Sequence, residues 1–117
     1  MTFEDDRTKG TNGESVEHLA EWLEVTLGAR LTAYAVGVSP SELGRFAHGD
    51  DQPGADVEQR LRNLYTATWF IASTDGPGSA HNWLTEPNPK LENRTPADLL
   101  RDGESPRPVW FSVAPVF

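Results

Sequence analysis

The sequence predicts an all-α protein: a small helical bundle followed by a shorter helical module. Three observations carry that reading. Apolar residues recur at spacings of three and four in successive stretches, helix-capping residues stand just before those stretches, and glycine and proline collect between them. A chain of 117 residues and 12.9 kDa holds one compact domain or two very small modules, which excludes a large catalytic barrel.

Ser15 caps the first expected helix, whose apolar positions are Val16, Leu19, Ala20, Leu23 and Leu27, with Gly28 as its stop. Leu31, Tyr34, Ala35 and Val36 suggest a second, short helix ended near Gly37, where the chain can turn without a Cβ clash. Ser39-Pro40 then starts a third helix running to about His48, with Leu43, Phe46 and Ala47 inward. After the loop Gly49 to Gly54, a fourth helix is expected to carry Val57, Leu61, Leu64, Tyr65, Thr68 and Trp69, ending near Ile71.

The stretch Thr74 to Ser79 holds two glycines and a proline and is the best internal boundary. The expected organisation is a mobile acidic arm over residues 1–14, a helical domain over 15–73 and a second module over 79–117. In that module Ser79 or Asn82 begins a short helix burying Trp83 and Leu84, and Pro87-Asn88-Pro89 makes an extended bend whose side-chain amide bonds nearby backbone. Thr95 caps a helix with Pro96 at its first position, Asp98 answering the cap and Gly103 as the stop.

The chemistry open to such a chain is narrow. Ten basic against eighteen acidic residues give a net charge of -8, so contact with a phosphate polymer must rest on a local patch. The acidity is uneven: residues 1–29 carry seven acids and two bases, 30–74 five and four, and 75–117 six and four. Without cysteine there is no disulfide, thiol nucleophile or thiolate metal site. His18, His48 and His81 are too scattered for a ligand set, and no nucleophile elbow or phosphate loop is present, so no catalytic residue, metal or cofactor is expected. No stretch reaches the ~18 apolar residues that span a bilayer, and the N-terminus lacks an apolar leader core; a cytoplasmic protein is the expectation.

Ala33, Gly37, Val38, Leu43 and Phe46 are spaced as in a helix-turn-helix, whose second helix would offer Ser39, Ser41, Arg45 and His48 to a DNA major groove. Arg45 is the one side chain of that set able to make a bidentate contact to guanine. Glu42 on the same face can accept from cytosine but repels phosphate. The alternative is that the helices are only a scaffold or a protein-contact unit.

In the tail, Asn82-Trp83-Leu84 followed by Pro87-Asn88 and Leu91, then Thr95-Pro96 and Leu99-Leu100 before Gly103, resembles the Xre-type antitoxins with an MbcA/ParS-like toxin-binding C-terminal domain. The resemblance covers roughly residues 28–104. It implies a partner of the RES-domain toxin class, enzymes that consume NAD, with this chain covering the toxin's active-site entrance. It also implies operator DNA as a second partner, a homodimer would double the basic groups, and the alternative reading is a dimeric helix-turn-helix DNA-binding regulator with no toxin partner. The candidate toxin-binding residues are Trp83, Asn88, Arg101, Arg107, Trp110 and Phe117. Members of the family commonly continue into a longer helix after the matching glycine, whereas Pro106 and Pro108 interrupt one here. For the apolar end from Val109 to Phe117, packing on this chain, insertion into a toxin groove and disorder are the alternatives.

Overall fold

A computed structural model describes residues 15–107 and residue 110. Among these residues the elements are α1 (Val16–Leu27), α2 (Ala29–Val36), α3 (Pro40–Ala47), α4 (Ala55–Asp75), α5 (Pro77–Thr85), a 3-10 turn (Pro89–Leu91) and α6 (Pro96–Arg101). The all-α expectation holds: the described extended pairing is a single bridge between Asn88 and Arg94. The expected arm over residues 1–14 and the end beyond Trp110, Phe117 included, lie outside the described residues.

The helix boundaries follow from local chemistry. The Ser15 hydroxyl accepts the His18 N–H at 3.1 Å, satisfying one of the orphan donors of α1. Gly37 takes the left-handed conformation at φ 86°, and the Val38 N–H reaches back to the Ala33 carbonyl at 3.0 Å, so α2 stops within one residue and α3 can begin at once. At the head of α3, Ser39 accepts from the Glu42 N–H while Glu42 accepts from the Ser39 N–H, a complete capping box with Pro40 behind it.

Two boundaries differ from the sequence expectation. Helix α4 runs past Ile71 to Asp75, and α5 begins at Pro77 rather than at Ser79 or Asn82. The cause is Gly76: at φ 97° it caps the end of α4 and serves as the entry to α5, so the Gly/Pro cluster is consumed in one residue. Helix α3 ends as expected, with His48 as its cap.

The core is built from Leu19, Leu23, Leu43, Leu61, Leu64, Leu84 and Leu100, all fully shielded from solvent, and apolar residues on both sides of Gly76 belong to the same cluster. Helix α5 packs chiefly on α4, α1 on α3, and α6 on α2. Buried polar groups tie these layers together. Thr32 donates to the Leu23 carbonyl at 3.2 Å, joining α2 to α1, and the buried Asn63 amide reaches the Glu104 carbonyl at 3.5 Å, joining α4 to the segment after α6. Trp22 meets Tyr65 edge-on with ring centroids 5.1 Å apart.

Candidate functional site

The surface of the C-terminal segment is assembled from short, strongly specified turns. Asn88 caps the 3-10 turn by accepting the Lys90 N–H at 2.9 Å, and its backbone pairs with Arg94, so the bend between α5 and α6 is closed by hydrogen bonds. Glu92 and Asn93 both adopt positive φ there, at 60° and 64°. Leu91 closes the bend from inside and is buried. Thr95 accepts the Asp98 N–H at 3.0 Å, so α6 starts at Pro96, and Gly103 at φ 94° follows its end. Lys90, Glu92, Arg94, Glu104 and Arg107 line a shallow concavity floored by Leu91 and Leu99.

Helix α6 is fastened to α2 by a polar cluster that spacing does not announce. Tyr34 donates its hydroxyl to the Asp98 carboxylate. Arg101 donates from Nη1 to the Tyr34 carbonyl at 2.7 Å, and its guanidinium carbon lies 4.6 Å from the centroid of the Tyr34 ring. Arg94 pairs with Asp102 at the end of the same helix.

The Asp98 carboxyl is held below its ordinary range by the Tyr34 hydroxyl first, against the opposing effect of partial burial, and then by the Thr95 side chain, Arg94 and the Thr95 backbone. The Tyr34 hydroxyl is raised by the same hydrogen bond first, with burial and the charges of Asp98 and Asp102 adding and Arg101 opposing. Because the folded carboxyl is depressed, its stabilisation is present above the ordinary carboxyl value and is lost as pH falls through the folded value. The raised tyrosine behaves oppositely, contributing below its ordinary value and losing that contribution as pH rises through the folded one. The difference in Tm between the native chain and Asp98→Asn is therefore expected to be constant near neutrality and to shrink in acid, at pH values below that of a free aspartate. A difference that stays constant into strong acid contradicts this. The effect is small, since Tyr34 is 44% exposed.

The tail residues singled out from sequence fall in different places. Arg101 and Arg107 are exposed; Arg107 pairs with Glu104 at 3.2 Å, a link worth little at a solvated site. Asn88 is half-buried and spends its side chain on the turn. Trp83 is half-buried and packs against the core, while Leu84 beside it is fully buried, so the expected burial of both is met by Leu84 alone. Trp110 is fully buried in this chain's own core. Trp69, read as one of the apolar positions of the fourth helix, is 53% exposed, while Ala67 and Thr68 just before it are both fully buried.

Helices α2 and α3 are joined by the tight turn at Gly37, and Ser39, Ser41, Arg45 and His48, the residues expected to face DNA, are exposed along α3 and its caps. Ser39 is engaged in its cap, and Arg45 Nε faces Asp51 at 3.4 Å in an exposed pair. His48 holds the Gly44 carbonyl through Nδ1 at 2.8 Å. Glu42 places its carboxylate at the N-terminus of α3, the position where a phosphate would otherwise be favoured. Among the described residues no group of three or more His, Asp or Glu side chains could hold a metal ion, and no helix is long and apolar enough to cross a membrane.

Comparison with known proteins places this geometry. Residues 69–105 match the family described as the antitoxin Xre/MbcA/ParS C-terminal toxin-binding domain. It contains α5, the capped bend, α6 and the last turns of α4. Over 72 residues the chain is 38% identical to the Mycobacterial cidal antitoxin MbcA of Mycobacterium tuberculosis (strains H37Rv and CDC 1551 / Oshkosh) and of Mycobacterium bovis (strain AF2122/97). The match spans 62% of this chain and 64% of each relative, just under two thirds of their length. No solved structure matches significantly. The matched segment contains the Trp83 and Thr95 motifs on which the resemblance rests.

Proposed function

We propose that this chain is an antitoxin that binds a RES-domain, NAD-consuming toxin and neutralises it by covering the entrance to its active site. The observation that carries the reading is the coincidence of the toxin-binding family match at residues 69–105 with a hydrogen-bonded bend that exposes Glu92, Asn93 and Arg94, and with Arg101 exposed at the end of the otherwise largely buried α6. Inhibition on this reading is steric. The chain supplies no nucleophile, acid or base, and needs only to hold a surface in place against substrate entry. The site of action is the cytoplasm, where NAD is consumed, and a homodimer would present two such surfaces. Purification of the chain from its native host, with mass identification of whatever protein accompanies it, tests the partner class. A stable partner with a RES domain is the expected result, and a partner of unrelated class overturns it.

The exposed outer face of α3 favours a second activity on the same chain, repression of its own operon through operator DNA. On that reading Arg45 contacts a base edge, and Arg45→Ala lowers specific DNA binding by about 1 to 3 kcal/mol while leaving nonspecific binding nearly unchanged. Equal weakening of both, in a titration against operator and scrambled duplexes at one salt concentration, rejects a base-reading role. A chain that binds neither duplex leaves the helix-turn-helix as a scaffold.

A further inference from the structure

We infer that the toxin-binding surface extends beyond the C-terminal segment onto α2, with Tyr34 as an anchor displayed by Asp98 and Arg101. This rests on the antitoxin reading above. Tyr34 lies 35 residues before the first residue of the family match, yet its hydroxyl, ring and carbonyl are all held by side chains of α6, within that match.

The arrangement is what a binding anchor requires. Tyr34 keeps 44% of its surface in solvent although it makes three contacts, and Arg101 beside it is exposed. Tyrosine and arginine dominate interface energetics because they offer broad amphipathic surface, and the cost of association falls when their rotamers are already fixed. Here the hydroxyl is fixed by Asp98 and the ring by the guanidinium stacked on it. As a purely structural device, an exposed cluster of this type contributes little stability.

The chemistry of the patch defines what fits it. Arg101 uses Nη1 on the Tyr34 carbonyl, and its other N–H groups suit a carboxylate or backbone carbonyl of the partner. Arg94 and Asp102 pair at the edge, so the surroundings of the ring are charge-balanced and the free part of the ring suits an aliphatic or aromatic side chain. The toxin is therefore expected to bring one acidic group and one apolar side chain to this place.

Hydroxyl-radical footprinting decides the matter, with the RES-domain protein co-purified with the chain as the probe. Oxidation of Tyr34 is expected to fall by about fivefold or more in the complex, and a folded Tyr34→Ala chain to bind about tenfold or more weakly. Oxidation of Tyr34 that is the same free and bound, or a folded Tyr34→Ala chain that binds as the native one does, overturns the extension while the antitoxin reading stands. Failure of the native chain to bind a RES-domain protein removes that reading and the extension together. The footprint uses the unaltered chain, so the answer does not depend on whether the alanine variant folds.

Discussion

Replacing Trp110 by alanine is expected to destabilise the protein by about 3 to 5 kcal/mol, the cost of emptying a fully buried aromatic site in a core that can only partly collapse. Trp110 has no solvent exposure and is the largest of the fully buried side chains, so no other single truncation removes as much packed volume. Among the described residues its indole N–H has no partner, and a buried donor left unpaired costs free energy in the native state, which places the value at the lower end of that range. In a chain of this size the fall in Tm is expected to reach about 10 °C or more. A thermal melt that is unchanged shows that Trp110 does not occupy the core in solution, and that it is then free to serve a partner, the other reading open to the aromatic end of the sequence.

The second large effect is expected at Leu84, where truncation to alanine costs about 2 to 5 kcal/mol. Leu84 stands on α5 and is fully buried within the cluster that also holds Leu19 and Leu23 of α1 and Leu61 and Leu64 of α4. The cavity therefore opens between the family segment and the helices before it. Native-state hydrogen exchange is expected to show the slowest amides of α1 and α5 accelerating together in Leu84→Ala, as one cooperative unit. Acceleration confined to residues after Gly76 contradicts this and divides the chain at that glycine.

What the sequence made legible was chemistry between near neighbours. Ser15, Ser39 and Thr95 cap the helices they precede, Asn88 spends its side chain on the bend, and Gly37 takes the left-handed turn, because each depends on groups within about four residues. The start of α5 lies earlier than composition indicates because a positive-φ glycine can end one helix and admit the next, which composition alone does not distinguish from a longer loop. Trp69 shows a different limit. On a 21-residue helix packed on several neighbours, the buried stripe follows Leu61, Leu64, Thr68 and Ile71, and a large apolar residue one step off that line is left at the surface.

The candidate site was legible only in part. Its motif residues, Trp83, Leu84, Asn88, Thr95, Leu99 and Leu100, mark the family segment because they build it, and most are spent on turns and core. The groups that give the surface its character are Tyr34, Asp98 and Arg101, brought together across separations of 64 and 67 residues. No spacing rule connects a tyrosine on α2 with an arginine at the end of a distant six-residue helix. Asp98 had a local explanation as a cap residue, which hid its second partner.

Occlusion of a toxin's active site by the capped surface of the C-terminal segment is tested most directly by titrating the purified RES-domain partner with this chain while NAD consumption is followed. NAD loss is expected to stop when the partner is saturated, at the stoichiometry of the isolated complex. A saturated complex that consumes NAD as fast as the free toxin contradicts it.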